Sequence, residues 1–351
     1  MALLKETCQE IGSLDMQAME SVRERLDSLT KPVGSLGILE DLAIQLAGIS
    51  GETRPRIIDK WVVVMAGDHG VAAEGVSAYP PEVTAQMVIN FLSGGAAINV
   101  LARHADARVR VVDLGIASDL NLPGLVAKKV RPGTASLARG MAMSRAEAVG
   151  SLEAGIEVAF DLASRGASVI ATGDMGIGNT TPSSAIVAAF TGRSPEEVVG
   201  RGTGVDDARL AAKIEAIRQG LVVNKPDAND ALDVLAKVGG LEIGGLAGLV
   251  LGAAARRIPV VIDGFISGAA ALVAARLAPA ARPYLIASHL SVEPGHRIVL
   301  DELGLVAPLQ LRARLGEGTG AVLAFALLEA ACRITSQMAT FAEASVSGEE
   351  G

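Results

Sequence analysis

The chain has 351 residues, and 39 Asp and Glu against 31 Lys and Arg leave a formal net charge of −8. Half of the residues are hydrophobic, yet only six Phe, two Tyr and one Trp stand beside 40 Gly. This length indicates one large domain or two modest ones. Binding to nucleic acid is excluded, because it needs clustered Lys and Arg or aromatic stacking platforms.

The most apolar stretches are too short, or too charged, for a membrane span. Residues 243–255 are followed by two arginines, and residues 258–275 contain Asp263, whereas a spanning helix needs about 20 apolar residues. The N-terminus is charged where a signal peptide needs an apolar run. Cys8 and Cys332 have neither disulfide nor zinc spacing. These features predict a cytoplasmic protein without a membrane partner.

Helical patterns mark both ends of the chain. Apolar residues recur at helical spacing over residues 14–29 and 36–46, and residues 319–344 return to helix without a further strand. Between them, a capping box at Ser144 precedes a helix that runs to Ala163. The terminal helices are expected to pack together as a small helical domain.

The middle of the chain alternates helical patterns with five short β-branched runs, at residues 61–65, 109–114, 168–172, 259–262 and 284–287. This alternation is typical of a parallel sheet covered by helices. The predicted segments are N-terminal helices (1–58), an α/β nucleotide-binding domain (59–315) and C-terminal helices (316–351).

Four of the five runs end in an aspartate, namely Asp68, Asp113, Asp174 and Asp263. Ligands of open α/β sheets bind outside the carboxyl ends of the strands. Each aspartate taken singly is explained equally well as the cap of the next helix.

A glycine-rich loop at residues 173–182, GDMGIGNTTP, follows a strand and opens a helix. Its glycines let backbone N–H groups approach an anion, the helix N-terminus adds positive potential, and Thr180 and Thr181 can donate hydroxyl hydrogen bonds. It is no P-loop, since Gly-Lys-Ser/Thr is absent, and Thr181 replaces the third glycine of a dinucleotide fingerprint. The loop predicts a phosphate site, with a purely structural turn as the alternative.

Two further segments carry candidate chemistry. The turn at residues 201–204 resembles a second anion site that Lys213 can reach, although an exposed helix lysine is more often only solvated. In residues 314–321, RLGEGTGA, glycines flank Glu317 before an apolar helix. Such surroundings raise a carboxylate pKa and suit a general base; a helix-start glutamate is the equally weighted alternative.

Metal and nucleophile chemistry are disfavoured. Asp68, His69 and Glu74 follow one strand, but no second His stands at ligand spacing, so no metal site is predicted. No G-x-S-x-G elbow occurs, and neither cysteine sits in a glycine-shaped turn.

Together, six strings resemble the nicotinate-nucleotide:dimethylbenzimidazole phosphoribosyltransferase family, in the family's order over about residues 10–345: LTKPVGSLGILEDLA (29–43), GDHGVAAEGVSAYPPEVTAQM (67–87), GDMGIGNTTPSSA (173–185), DGFISGAAAL (263–272), SHLSVEPGH (288–296) and RLGEGTGAVLA (314–324). The resemblance implies a doubly wound, mainly parallel sheet with helices on both faces, and a homodimer. It implies transfer of 5-phosphoribose from nicotinate mononucleotide to 5,6-dimethylbenzimidazole, giving α-ribazole 5′-phosphate, the lower ligand of cobalamin.

The resemblance also assigns roles to residues. Glu317 matches the family's catalytic base, and Asp174 stands where some relatives carry Glu. The expected nucleotide-binding set is Asp174, Gly176, Ile177, Gly178, Asn179, Thr180, Thr181, Gly202 and Lys213, and the expected base pocket is Tyr79, Gln86 and Leu315. No pyrophosphate leaves in this reaction, so no metal or other cofactor is expected. The alternatives are a nucleotide-dependent oxidoreductase on a Rossmann-like sheet and a non-catalytic binder of nucleotides or benzimidazoles.

Overall fold

The protein is described by a computed structural model that covers residues 1–202 and 204–347. A six-stranded, wholly parallel sheet forms its centre. The strands are β1 (Lys60–Gly67), β2 (Arg108–Gly115), β3 (Leu125–Ala127), β4 (Val169–Met175), β5 (Val260–Ile262) and β6 (Leu285–Ala287). Their spatial order is β3-β2-β1-β4-β5-β6, so the direction of winding reverses between β1 and β4.

Helices cover both faces of this sheet. In the first half of the chain they are α1 (Ala2–Glu10), α2 (Met16–Ser28), α3 (Ile38–Ser50), α4 (Glu82–Leu92), α5 (Ala97–His104) and α6 (Arg145–Ser164). The second half supplies α7 (Thr180–Thr191), α8 (Pro195–Val198), α9 (Asp207–Asn224), α10 (Ala231–Val238), α11 (Leu241–Ala255), α12 (Phe265–Leu277), α13 (Pro294–Leu303), α14 (Thr319–Gln337) and α15 (Phe341–Ala344). The doubly wound parallel fold expected from the sequence is confirmed.

Alternating side chains of β1 divide the interior into two cores. Val63 and Met65 pack with α6, α7 and α10 to α12 on one face. Val62 and Val64 pack with α2 to α5 and α14 on the other. Both faces of a parallel strand are buried, which explains the uninterrupted apolar run in the sequence.

The first core depends on very close packing of α6 against α11. A methyl group added at Gly248 would overlap the carbonyl oxygen of Leu152, and one at Gly155 would overlap that of Gly245. The small residues of these two helices therefore allow backbone contact that larger side chains would prevent.

The helical segments at the two ends of the chain pack together on the second face. The Thr30 N–H donates to the Ala339 carbonyl at 3.1 Å, and Leu29 pairs with Thr340 in an isolated bridge. α14 also lies against β4 and β5. The predicted boundaries at residues 58/59 and 315/316 stay a prediction, and residues 348–351 are outside the described part of the chain.

Three details differ from the sequence expectations. β3 was not predicted; it is a strand of three residues that pairs only with β2 at the edge of the sheet. The predicted helix over residues 319–344 is two helices, α14 and α15. Two stretches, Glu82–His104 and Thr319–Gln337, match a membrane span by length and composition. The first of these is α4 and α5 with a break between them, and the second is the core helix α14.

Candidate active site

A cavity of about 600 Å³ opens beside the carboxyl end of β4, next to the point where the winding reverses. It is lined by Val76, Ser77, Tyr79, Val83, Met87, Asp174, Met175, Gly176, Ile177, Gly178, Asn179, Thr180, Gly202, Val205, Lys213, Ala313, Arg314, Leu315 and Glu317. Most sequence-predicted residues of the site therefore meet in one place. This edge of an open sheet is where ligands of such folds bind.

The glycine-rich loop is held tightly between neighbouring segments. A methyl group added at Gly176 would overlap the Gly67 carbonyl oxygen and come within 3.1 Å of His69 Nε2. The Ile177 N–H donates to Thr84 Oγ1 at 3.1 Å, which ties the loop to α4. Gly178 has φ +87°, a conformation that residues with a Cβ rarely adopt. The loop thus has a fixed shape, with its backbone along the cavity wall.

A buried lysine connects this loop with the second glycine turn. Lys213 is only 1 % exposed, and its Nζ donates to Thr180 Oγ1 at 3.0 Å and to the Gly200 carbonyl at 3.2 Å. Burial lowers the Lys213 pKa, and the charge of Glu293 opposes that shift. Arg314 donates to the Gly202 carbonyl at 2.7 Å. Two cationic side chains and the N-terminus of α7 thus line the cavity, as an anion site requires.

Glu317 projects into the cavity from a strained segment. Its φ is +62°, and the glycines on either side have φ +83° and +88°. The side chain is 5 % exposed, and its Oε2 accepts a long hydrogen bond of 3.4 Å from the Ile98 N–H at the start of α5. Burial raises the Glu317 pKa, opposed by that hydrogen bond. A raised pKa suits a carboxylate that must accept a proton near neutral pH.

Two further buried carboxylates, Asp174 and Asp263, have raised pKa values like that of Glu317. Asp174 lines the cavity, and its Oδ2 accepts from Asn179 Nδ2 at 2.9 Å. Burial, followed by the negative charge of Asp263, raises the Asp174 pKa to about 8. Burial raises the Asp263 pKa to about 7, against three backbone hydrogen bonds that lower it. Both pKa values therefore lie near neutral pH, far above the ordinary value of 3.8.

Two of the three residues expected in the base pocket line the cavity. Tyr79 and Leu315 line the cavity while remaining about half exposed, at 52 % and 51 %. Gln86 is on the exposed side of α4, outside the set of described residues that line the cavity. Val83 and Met87 occupy the face where Gln86 was expected.

Thr181 also differs from expectation. It is fully buried, its hydroxyl has no partner among the described residues, and it is outside the described cavity lining, unlike Thr180. Thr203, in the predicted second anion turn, is outside the described residues.

Sequence reasoning did not select several lining residues: Val76, Ser77, Val83, Met87, Met175, Val205, Ala313 and Arg314. Arg314 had a signal, since it belongs to the RLGEGTGA string, and Ser77, Val83 and Met87 lie in the string of residues 67–87. No sequence feature indicated Val205, because its position depends on how the chain reaches α9.

The strand-end acids outside the cavity have structural partners. Asp68 accepts from the Ala117 N–H at 2.8 Å, and Asp113 accepts from the Ile116 N–H at 2.9 Å. His69 is paired with Glu242 at 2.8 Å, and Glu74 with Ser136 and Arg139. Within the described residues, no group of three or more His, Cys, Asp or Glu side chains is arranged to hold a metal ion.

Comparison with known proteins identifies the relatives of this chain. A family model described as phosphoribosyltransferase matches residues 11–346. Nicotinate-nucleotide–dimethylbenzimidazole phosphoribosyltransferases from Roseiflexus sp. (strain RS-1) and Geobacter sulfurreducens are 61 % and 55 % identical, each over 99 % of both chains. The crystal structure of the enzyme of that name from Thermus thermophilus superposes with a TM-score of 0.91 at 50 % identity, covering 96 % of this chain and all of that one.

The strand order is the one found in dinucleotide-binding proteins, so the sheet alone does not separate a transferase from an oxidoreductase. Fold, site and family model together define a phosphoribosyltransferase. The chain belongs to the nicotinate-nucleotide–dimethylbenzimidazole phosphoribosyltransferase family. These relatives support transfer chemistry over both alternatives, the oxidoreductase and the non-catalytic binder.

Proposed function

We propose that this enzyme transfers the 5-phosphoribosyl group of nicotinate mononucleotide to 5,6-dimethylbenzimidazole, releasing nicotinate and forming α-ribazole 5′-phosphate for the lower ligand of cobalamin. The observation that carries the proposal is the single cavity shared by a glycine-rich anion loop and a buried carboxylate with a raised pKa. The printed names of the relatives supply the two substrates.

In this proposal, the phosphate of the mononucleotide binds at the loop from Gly176 to Thr180, with Gly202, Lys213 and Arg314. Backbone N–H groups, the α7 N-terminus and two cations provide attraction for a dianion. Lys213 leaves its bonds to Thr180 and Gly200 when the phosphate offers stronger acceptors. Anchoring the phosphate fixes the position of C1′, so that binding free energy is used for orientation.

The chemistry at C1′ needs one proton acceptor. The nicotinate ring nitrogen is cationic while bonded to ribose, so nicotinate departs with the bonding electron pair and leaves positive charge on the sugar. A benzimidazole nitrogen attacks from the opposite face, which inverts the configuration from β to α. The N–H group at the other nitrogen of the benzimidazole ring then becomes acidic, and Glu317 accepts its proton. The interaction between Glu317 and the benzimidazole N–H strengthens as positive charge develops on the ring. An interaction that is stronger in the transition state than in the ground state lowers the activation barrier.

The flat base needs apolar walls, and Val83, Met87, Tyr79 and Leu315 offer them. Gln86 stays a prediction for this pocket, and to contribute it would have to turn in from the exposed side of α4. Asp174, neutral for much of the time at pH 7, can donate as well as accept a hydrogen bond to the nucleotide. We also infer a cytoplasmic homodimer, because the family resemblance implies one and biosynthetic substrates of this kind are intracellular.

The test is direct. Purified protein incubated with nicotinate mononucleotide and 5,6-dimethylbenzimidazole, with EDTA present, should yield nicotinate and a product with the mass of ribazole phosphate. Glu317→Gln keeps the size of the side chain but removes its basicity, so turnover should fall about 10²–10⁴-fold. Absence of the product from the unaltered protein, or near-full turnover by the variant, would refute the assignment.

A further inference from the structure

Asp263 connects β5 with the segment that carries Glu317. Its side chain is fully buried at the carboxyl end of β5. Oδ2 accepts a hydrogen bond from the Gly318 N–H at 3.2 Å. Oδ1 accepts two more, from the N–H groups of Gly320 and Ala321, at 2.7 and 2.9 Å. One carboxylate therefore binds three backbone N–H groups within the four residues that follow Glu317.

This segment needs such a fixed partner because its backbone is strained. Residues 316, 317 and 318 all have positive φ, and the middle one carries a side chain. A left-handed conformation in a residue with a Cβ costs free energy and persists only where the surroundings impose it. If the Gly318 N–H lost its acceptor, the strained turn would relax, and the Glu317 side chain would turn with it.

The same segment is pressed against the ends of the neighbouring strands. A methyl group added at Gly173 of β4 would come within 2.5 Å of the Glu317 carbonyl oxygen, and one at Gly318 within 2.6 Å of Val62 of β1. Thus close contacts with β1 and β4 restrict the position of the Glu317 segment, while Asp263, at the end of β5, accepts its hydrogen bonds.

Asp263 is outside the described residues that line the cavity, so it has no direct route to a substrate there. The titratable groups facing it are Asp174, Glu317 and His289, whose Nδ1 is 3.9 Å from Oδ1. None of these three side chains takes the place of the three backbone N–H groups that donate to Asp263.

We propose that Asp263 is a positioning residue, which holds the Glu317 carboxylate in the cavity by fixing the backbone from Gly318 to Ala321. The inference rests on the proposed role of Glu317 as proton acceptor. It predicts that the acceptor capacity of both Asp263 oxygens matters for turnover, beyond any effect on folding.

Asp263→Asn tests this with little change in shape. The amide oxygen can keep two of the N–H groups, but the NH₂ group then faces a third donor and cannot accept from it. We expect kcat to fall about 10²-fold, the cost of misplacing a catalytic group by about 1 Å. KM for nicotinate mononucleotide should change little, because its phosphate is bound by other segments.

Asp113→Asn is the matched control. Asp113 is also a buried aspartate at the end of a strand, it accepts from the Ile116 N–H, and it is outside the described residues that line the cavity. We expect this variant to lose thermal stability while keeping kcat. An Asp263→Asn variant with a kcat no lower than that of Asp113→Asn would overturn the inference.

The Glu317→Gln background provides the readout that a merely structural role would not move. If Asp263 acts through Glu317, adding Asp263→Asn there should cause little further loss of kcat, because residues that act as a unit are not additive. A full further loss would overturn the inference while leaving the proposed function intact. Near-full turnover by Glu317→Gln alone would instead refute the proposed function.

Should Asp263→Asn not fold, Asp263→Glu gives the answer. It keeps the carboxylate but displaces its oxygens by one methylene, so a folded variant should lose kcat with little change in KM. Unaltered kcat in folded Asp263→Glu would overturn the inference.

Discussion

At the scale of the residue, the environment of Glu317 gives the carboxylate its proposed chemistry. Glu317 is nearly buried, and the N–H of Ile98 donates to it at the long distance of 3.4 Å. Burial therefore dominates and raises its pKa from the ordinary value of 4.5. The carboxylate is consequently a stronger base than an exposed glutamate.

The first prediction concerns the pH dependence of turnover. The base must be unprotonated, so kcat should fall as the pH decreases through the raised pKa of Glu317, at a pH above 4.5. Initial rates at saturating substrates across pH 4.5 to 8 would measure this. The slower Glu317→Gln enzyme should lack that decline, and an identical decline in both would assign the titration to another group.

Much of the residue-level site could be predicted because its residues stand in contiguous strings. The loop from Gly176 to Thr180 and the Glu317 segment are each read in one stretch of sequence. Gln86 and Thr181 show the limit of this reasoning. Which face of α4 or α7 turns inward depends on what packs behind it, and Val83 and Met87, four residues apart, take the inner face of α4.

At the scale of the element, glycines determine both the site and the core. The loop before α7 depends on the positive φ of Gly178, where an added methyl group would contact Ala72 at 3.6 Å. The contact between α6 and α11 depends on the absence of side chains at Gly248 and Gly155. Gly178 is therefore required for its backbone conformation, whereas Gly248 and Gly155 are required because there is no space for a side chain.

The second prediction is that Gly178→Val weakens nicotinate mononucleotide binding much more than dimethylbenzimidazole binding. A β-branched residue disfavours positive φ and intrudes on the anion loop, so an affinity loss of at least about tenfold is expected, or about 1.4 kcal/mol. Calorimetric titration of both ligands would measure it. Equal weakening of both would indicate a general folding defect instead.

The third prediction places Gly248 in the α6–α11 contact. Gly248→Ala should lower the free energy of unfolding by about 1–3 kcal/mol, because the added methyl group has no space against the Leu152 carbonyl. Gly140→Ala, where nothing lies within 4 Å of the added group, is the control. Chemical denaturation of both variants would compare them, and equal stabilities would contradict the close packing.

At the scale of the elements, sequence periodicity predicted five of the six strands and the helices α2, α3 and α14, but not α1. The missing strand, β3, pairs only along residues 111–113 of β2. It exists because the edge of β2 offers hydrogen-bonding partners, a tertiary effect that no local pattern records. The doubly wound arrangement was inferred from the family resemblance, and the order of the strands was not predicted, since alternation alone does not specify where the winding reverses.

At the scale of the whole molecule, buried titratable groups make stability depend on pH in opposite directions. Asp174, with a folded-state pKa of about 8, contributes stability at low pH that is lost as the pH rises towards 8. Burial lowers the pKa of His296 to about 3, so its contribution is present above about pH 6.5 and is lost as the pH falls towards 3. Above pH 6.5 the acids still titrate, and so does His69, whose pKa is raised because the lowering effect of burial is outweighed by the charge and hydrogen bond of Glu242.

The fourth prediction follows for Asp174→Asn. Between pH 6.5 and 8, the free energy of unfolding of the unaltered enzyme should decline by at most about 1.4 kcal/mol per pH unit for each buried acid. The variant should decline less and be the more stable protein at pH 8, because the amide carries no charge to bury. Asp27→Asn, on an exposed part of α2, is the control. Parallel declines in all three proteins would contradict this account.

The pairing of the first helices with the last has a consequence during translation. At about 5–20 residues per second, the ribosome needs roughly 20–70 s for a chain of this length. Throughout that time α2 and α3 lack their partner α14, and the sheet face around Val62 and Val64 lacks its cover. Glu317 and α14 follow the strands and the other helices of this core in the sequence, so the chain acquires its proposed base and the cover of this core in the same late event. A nascent chain that lacks α14 therefore lacks the proposed base and also exposes the apolar sheet face around Val62 and Val64.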